Sequence, residues 1–543
     1  MSASGSICLA GALLGLISQL NWIWGNGPDA IWWLRLLLGG GGGWLLARGG
    51  LALYHRLARR PVWESFPAFC QGLARPGRLA GLTFCFFLCL YLLSMGGHFY
   101  SYDARFRFQT TKALVERGSL VIRVPPQAPP IYSKYGIVQP LLTIPLYLLG
   151  RALPAPGGEN PRPPQEVAAS TLMQVVSAGS LALLLLILLE LGYPRGPALA
   201  VALVTGLATM TWPYAKYFFT EPLNGFFLLL CLYQLLVFKR TRAPARLLGA
   251  GTALALGAAN APMLLATAAP LFGAYLAWLL WPRPGGLCTG WGRALGLGLL
   301  FVLPLAAALA FILGFNAYRF GSPFTTGYEG DRGFVTVVQD GKPGFSLPWW
   351  VGLYGLLFSA GKSLFLYNPP VILALLGLGP FLARRRPEAL LSLGLVLAWL
   401  AFYCRWWAWH GDICWGPRYL VPVLPLIMLP LAETLSGWGE RGPGSKGFFI
   451  LILGLGLALQ LLAISVPFYT YFQAVEGPRQ SNWHLLHYVP QFSPLVGQVK
   501  VVARLGAADF FLKKTTDGLL LAWATGLAGL GLWLAVRQRP GRA

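Results

Sequence analysis

The chain has 543 residues, with 42 Lys and Arg against 18 Asp and Glu, for a net charge of +24. Only 11% of residues are charged and 56% are apolar, whereas a soluble domain carries about a quarter charged residues. This balance excludes a soluble globular protein, and it excludes a disordered chain, which needs low hydrophobicity.

The apolar runs are continuous and long enough for helical spans of about 20 residues. They do not alternate in period two, as barrel strands do. The fold class is therefore an all-α polytopic membrane protein. Fourteen spans are predicted, at 6–24, 30–49, 79–97, 167–190, 196–212, 221–238, 247–259, 262–281, 294–314, 363–383, 388–404, 419–436, 447–467 and 517–535. The N-terminus lacks the basic stretch of a signal peptide, so 6–24 reads as a retained helix. The 247–259 run is short, and Asn260-Ala261-Pro262 reads as a break within a hairpin. Three parts follow: 1–78 with two N-terminal spans and a basic cytoplasmic loop, a transmembrane core at 79–467, and 468–543 with an outer segment and the last span.

The basic residues cluster at helix ends, at Arg56–Arg78, Lys239–Arg246, Arg384–Arg386 and Arg537–Arg542. Short basic loops face the cytoplasm. Alternating spans then put these clusters on one side, with both termini cytoplasmic and no nucleic-acid partner implied. The opposite, outer side receives three long segments, 98–166, 315–362 and 468–516, and most of the acids. A chain that concentrates its non-helical residues on one face is expected to work there. The protein is expected in the cell membrane, with its working site on the outer face.

In the first outer segment, Asp103–Arg117 reads as an amphipathic helix ended by Gly118. Residues 136–150 are apolar but too short to span, so the pair is expected to lie in the interface plane. The Pro/Gly-rich run from Pro154 to Pro164 reads as a loop.

No carboxylate falls in mid-span, where ion-coupled transporters keep one. Asp103, after Tyr100-Ser101-Tyr102, sits where a lipid-borne and a water-borne substrate would meet. It is equally placed to cap a helix. Glu221 opens a span, where it could simply complement the helix dipole. Lys216 nearby could pair with Glu221 or bind a phosphate.

The turn Trp406–Tyr419 holds four Trp residues with His410, Asp412 and Arg418. Trp406 and Trp407 suit an interfacial belt. Arg418 could bind a phosphate bidentately or pair structurally with Asp412. Lys134 and Tyr135, Arg319, and Lys362 in Ser-Ala-Gly-Lys-Ser are further outer-side candidates; the last lacks P-loop spacing. His484 and His487 have metal-compatible spacing, but no carboxylate stands near them in sequence. The eight Cys form no CxxC pair, and Cys404 and Cys414 read as two buried thiols. Neither a metal nor another cofactor is called for.

Six motifs in order, YSYDARF, SKYGIVQPLLTIPLYLLG, YAKYFFTEPL, NAYRFGSPFTTGY, GLYGLLFSAGKSLFLYNP and WHGDICWGPRYLVPVLP, resemble the GT-C superfamily. These are glycosyltransferases that use polyprenyl-phosphate sugars, among them protein O-mannosyltransferases and the lipid A aminoarabinose transferase. The resemblance implies an inverting transfer to a lipid, glycan or protein acceptor, with the early first-loop carboxylate, here Asp103, as general base. Members often carry a second acid beside it; here Ala104 and Arg105 follow. Glu221 joins Asp103 as a candidate catalytic acid. Lys134, Tyr135, Lys216, Arg319, Lys362, His410, Asp412 and Arg418 are the candidate substrate contacts. The competing functions are a lipid or sugar transporter or flippase, and a non-enzymatic scaffold in which the outer acids and Arg418 do not converge.

Overall fold

The computed structural model describes residues 76–505, apart from 125, 127–128, 154–161, 285, 329–343, 438–439 and 477–482. The spans expected at 6–24, 30–49 and 517–535 lie outside the described residues.

The chain begins with α1 (Pro76–Ser94), then α2 (Tyr102–Arg117), a two-stranded antiparallel hairpin of β1 (Val121–Arg123) and β2 (Ile131–Tyr132), and α3 (Val138–Arg151). Next come α4 (Pro164–Ser170), α5 (Leu172–Glu190), α6 (Arg195–Ala208), α7 (Thr211–Lys216), α8 (Glu221–Thr241) and α9 (Ala245–Asn260). The middle holds α10 (Met263–Thr267), α11 (Ala269–Leu280), α12 (Trp291–Phe320), α13 (Trp349–Phe358), α14 (Leu364–Tyr367), α15 (Pro370–Leu376), α16 (Leu378–Arg384) and α17 (Arg386–Cys404). A 3-10 turn (Arg418–Val423) leads to α18 (Leu424–Ile427), α19 (Leu431–Ser436), α20 (Pro443–Ser465), α21 (Tyr469–Glu476), α22 (Trp483–Tyr488) and α23 (Pro494–Leu505).

Among the described residues, six helical segments are long and apolar enough to cross a bilayer: Pro76–Ser94, Pro164–Glu190, Glu221–Thr241, Trp291–Phe320, Arg386–Cys404 and Pro443–Ser465. The chain is a multi-pass membrane protein. Two expected spans are each divided into three helical pieces. The 363–383 stretch is split into α14, α15 and α16, and the 419–436 stretch into the 3-10 turn, α18 and α19. Prolines explain both. Pro369 and Pro370 fall at the first break, and Pro422, Pro425 and Pro430 punctuate the second. Each removes an N–H and crowds the carbonyl four residues back. The split has a packing use, since a Cβ on Gly377 would strike the Pro430 carbonyl, so the two broken segments approach closely there.

The helix expected from Asp103 spans Tyr102–Arg117 and closes on Gly118 in the left-handed conformation, φ 59°. Its cap is Ser101, whose hydroxyl accepts from the Ala104 N–H at 3.2 Å. The capping role weighed for Asp103 is therefore filled by its neighbour. Helix α9 does break at Ala261-Pro262. The main core packs α1, α5, α6, α8 and α9 around residues such as Phe87, Leu185, Leu228 and Leu254. A smaller apolar cluster, with Phe99, Phe108, Val138, Tyr147 and Phe218, ties α2 and α3 to the N-terminal ends of α5 and α8.

Candidate active site

Asp103 lies in the first turn of α2, and its position is set by α3. Thr111 on α2 donates to the Pro140 carbonyl at 3.0 Å, and the Tyr147 hydroxyl donates to Glu116 at 2.6 Å. The start of α3 is anchored in turn by Asn260, at the α9 break. Its side-chain oxygen accepts from the Gln139 N–H at 3.1 Å, and its amide donates to Thr220 and Asn224 at 2.6 and 2.8 Å. One buried amide thus joins the α3 start to the segment that presents Glu221. Gly136 touches the Asn260 carbonyl so closely that any side chain would collide. In the sequence, Asn260 reads only as a break; its signal was a polar residue next to Ala-Pro inside an apolar hairpin.

The turn after α17 brings Arg418. Gly411, Asp412 and Gly416 are left-handed, with φ of 72°, 62° and 60°. Lys362 holds this turn. Its Nζ donates to the carbonyls of Asp412 and Cys414 at 3.0 and 2.9 Å and lies 3.1 Å from the Cys414 Sγ. The Tyr214 hydroxyl donates to the Trp415 carbonyl at 2.8 Å, and Trp399 Nε1 to that of Tyr419 at 2.7 Å. Tyr419 stacks on Tyr403 at 4.0 Å and 10°.

Three charges meet at this point. Arg418 Nη2 is 3.3 Å from Asp103 Oδ2, and its Nε is 3.4 Å from Glu221 Oε1. One guanidinium is therefore shared by two carboxylates, all three at most 20% exposed. Both contacts are longer than the 2.7–2.9 Å typical of charge-assisted hydrogen bonds. Neither Arg418 Nε nor Glu221 Oε2 has a hydrogen-bond partner. The other Asp103 oxygen accepts from the Tyr135 hydroxyl at 2.5 Å. Burial alone would raise the affinity of Asp103 for a proton. The charges of Arg418 and Arg107, the Tyr135 hydrogen bond and Lys134 outweigh it and hold the carboxyl below its ordinary value. The Tyr135 phenol is pushed far up, by burial first and the Asp103 charge second, so it stays a donor.

Arg107 is the site residue that the sequence reading missed. It sits one turn after Asp103, its guanidinium 3.9 Å above the Tyr135 ring, buried, and with Nη1 lacking a partner. The i, i+4 spacing to Asp103 was the available signal.

The other candidates divide. Lys134 stands beside the site, its Nζ 4.7 Å from the Tyr328 ring and 5.6 Å from that of Tyr135. Arg319 donates to the Ser133 and Tyr135 carbonyls at 2.5 and 3.0 Å, fixing the Tyr135 backbone. Lys216 is buried and donates to the Ile464 carbonyl at 2.8 Å, so it braces α20 and does not pair with Glu221. Lys362, fully buried, holds the turn, and burial pulls its proton affinity down. Asp412 does not form the pair with Arg418 that its spacing allowed; its backbone N–H donates to His410 Nδ1 at 3.0 Å. The His410 ring lies 4.8 Å from that of His487, and burial, then Lys362 and Arg418, lowers its proton affinity to about 3. The His484 side chain lies outside the described set. Cys404 and Cys414 are both free and buried. Among the described residues, no three His, Cys, Asp or Glu side chains are grouped to hold a metal.

No protein-family model matches the sequence, and no curated protein is similar to it. Solved structures are. The chain is similar to ArnT from Cupriavidus metallidurans bound to undecaprenyl phosphate, at 15% identity, over 83% of this chain and 74% of that one, with a TM-score of 0.43. It is similar to the same protein in the apo state at 17% identity over the same shares, TM-score 0.39. It is also similar to the oligosaccharyltransferase AglB from Archaeoglobus fulgidus in complex with an inhibitory peptide and a dolichol-phosphate. That match is 12% identical over 72% of this chain and 55% of that one, TM-score 0.42.

Proposed function

We propose that the protein is an inverting glycosyltransferase that moves a sugar from a polyprenyl-phosphate carrier to an acceptor hydroxyl at the outer face of the cell membrane. The observation that carries this reading is the convergence of Asp103, Glu221 and Arg418 with Tyr135 and Arg107. Arg107, buried, has its Nη1 without a hydrogen-bond partner, and such an atom is costly to leave unmet. A phosphate supplies an acceptor oxygen for it, beside the positive charge of Arg418. A scaffold would need no such convergence.

Asp103 takes the proton of the acceptor hydroxyl as that oxygen attacks the anomeric carbon opposite the phosphate. The bond between that carbon and the phosphate oxygen breaks, and its electron pair leaves with the phosphate. The departing group gains a second negative charge, which Arg418 and Arg107 offset in a site with little water. The cations that keep Asp103 ionised also make it a weak base. Phosphate arriving between them draws their charge away and strengthens the base. Tyr135 orients the carboxylate, Glu221 holds Arg418 from the other side, and Lys134 adds positive charge at the rim.

The test is Asp103→Asn, assayed as release of polyprenyl phosphate from a polyprenyl-phosphate sugar with membrane extract as acceptor pool. The variant is expected to insert, fold and bind donor while transfer falls about 100- to 10,000-fold. Full activity overturns the assignment.

A further inference from the structure

Helix α8 starts at Glu221 and ends at Thr241, about 30 Å away at 1.5 Å per residue, so its two ends lie on opposite faces of a bilayer. The far end carries a second constellation, unrelated to Asp103. A cavity of about 480 Å³ brings Lys239, Arg240, Arg384 and Arg385 together with Glu190 and Glu388. A second cavity of about 270 Å³ adjoins it through Lys239 and adds Arg242, Arg283 and Trp278. Six cations therefore surround two carboxylates.

Half of these cations have fixed anionic partners. Lys239 is 2.7 Å from Glu388, Arg240 makes two hydrogen bonds of 2.8 and 2.9 Å to Glu190, and Arg384 is 2.7 Å from Glu433. The other half do not. Arg385 donates to the Leu191 carbonyl at 2.6 Å. Arg283 lies 5.4 Å from the Trp278 ring centre, and Arg242, exposed, projects from the left-handed cap of α8. Among the described residues, none of these three has a carboxylate partner. The ion pairs fix the walls, and the three unmatched guanidiniums leave both cavities positive. Apolar side chains, Leu236 in one and Leu279 in the other, continue the lining. Trp281 and Trp291, each 57% exposed, meet edge to face at 5.1 Å. Exposed Trp at a span end marks the headgroup level of a bilayer.

We propose that the two cavities form a binding site for an anionic phospholipid carrying two phosphate groups. One phosphate is held at Arg385 and the other between Arg242 and Arg283, with Lys239 between them. Basic pockets between spans recognise such headgroups by charge. Two adjoining cavities with a shared cation fit two linked phosphates better than one. The apolar lining and the Trp pair favour a lipid over a soluble anion.

The test uses the purified full-length protein in neutral detergent, titrated separately with diphosphatidylglycerol, phosphatidylglycerol, phosphatidylcholine and inorganic diphosphate. Thermal stability is the readout, since a ligand that binds only the folded state raises Tm. Diphosphatidylglycerol is expected to raise Tm at the lowest concentration, with no effect from phosphatidylcholine or inorganic diphosphate. The double variant Arg242→Gln/Arg283→Gln should keep its ligand-free Tm, since both side chains are exposed. Its apparent affinity for diphosphatidylglycerol should fall about thirty-fold, from the loss of two cations near the surface. If the double variant does not fold, each single variant must weaken binding instead. Unchanged affinity in the variants, equal protection by phosphatidylcholine, or equal protection by inorganic diphosphate overturns the proposal; the last result means a soluble-anion site. Glycosyl transfer plays no part in this readout, so the outcome is independent of the Asp103 assignment.

Discussion

The sharing of Arg418 between two carboxylates makes an asymmetric stability prediction. At 3.3 and 3.4 Å and an effective dielectric of about 20, each contact is worth about 5 kcal/mol of Coulomb attraction before desolvation. Replacing Arg418 with Gln leaves Asp103 and Glu221 buried, like-charged and without their shared cation. Stranded buried charges of this kind cost about 3–5 kcal/mol. Asp103→Asn is milder. Arg418 keeps Glu221, and the Asn oxygen still accepts from Tyr135, so the loss is about 1–2 kcal/mol. The double variant Asp103→Asn/Arg418→Gln strands one carboxylate rather than two, and should be more stable than the sum of its parts by about 1–3 kcal/mol. Unfolding of the four proteins in mixed micelles, followed by tryptophan fluorescence, measures the cycle. If Arg418→Gln is no less stable than Asp103→Asn, or the two effects simply add, the shared-cation geometry is wrong.

Tyr135→Phe removes a hydrogen bond that stabilises the ionised Asp103. Asp103 then binds its proton more readily, and the acid limb of the transfer pH profile should move to higher pH. Lys362→Met deprives the Asp412 and Cys414 carbonyls of their donor, which should cost about 1–3 kcal/mol and raise the donor KM more than it lowers kcat, because Arg418 loses its positioned turn. His410 is held near a pKa of about 3, by burial first, against about 6.5 when unfolded. Below pH 6.5 the unfolded chain therefore binds a proton that the folded chain does not, and stability falls with pH down to about 3, by at most about 1.4 kcal/mol per unit. His410→Gln should flatten that part of a stability titration relative to the parent; identical slopes refute the burial argument.

Several features were legible in the sequence because short-range chemistry sets them. Apolar run length gave the membrane class, and Gly118 gave the end of α2, where only a residue at ease with positive φ fits. The candidate set also held Asp103, Tyr135, Glu221 and Arg418, which come together from α2, the hairpin edge, α8 and the turn after α17. That they touch is a property of packing, since residues 103, 221 and 418 are far apart in the chain and each had a common local explanation. Those explanations were decided in space. Ser101 caps the helix and leaves Asp103 for Tyr135 and Arg418, while Lys216, Arg319 and Lys362 turn to backbone carbonyls that no sequence position reveals. A cation's role depends on which acceptor lies within about 3 Å of it, and hydropathy and spacing carry no record of that distance. Arg107 illustrates the same limit from the other side. On the sequence it is one more basic residue in an amphipathic helix, and only the Tyr135 ring lying against it turns it toward the site.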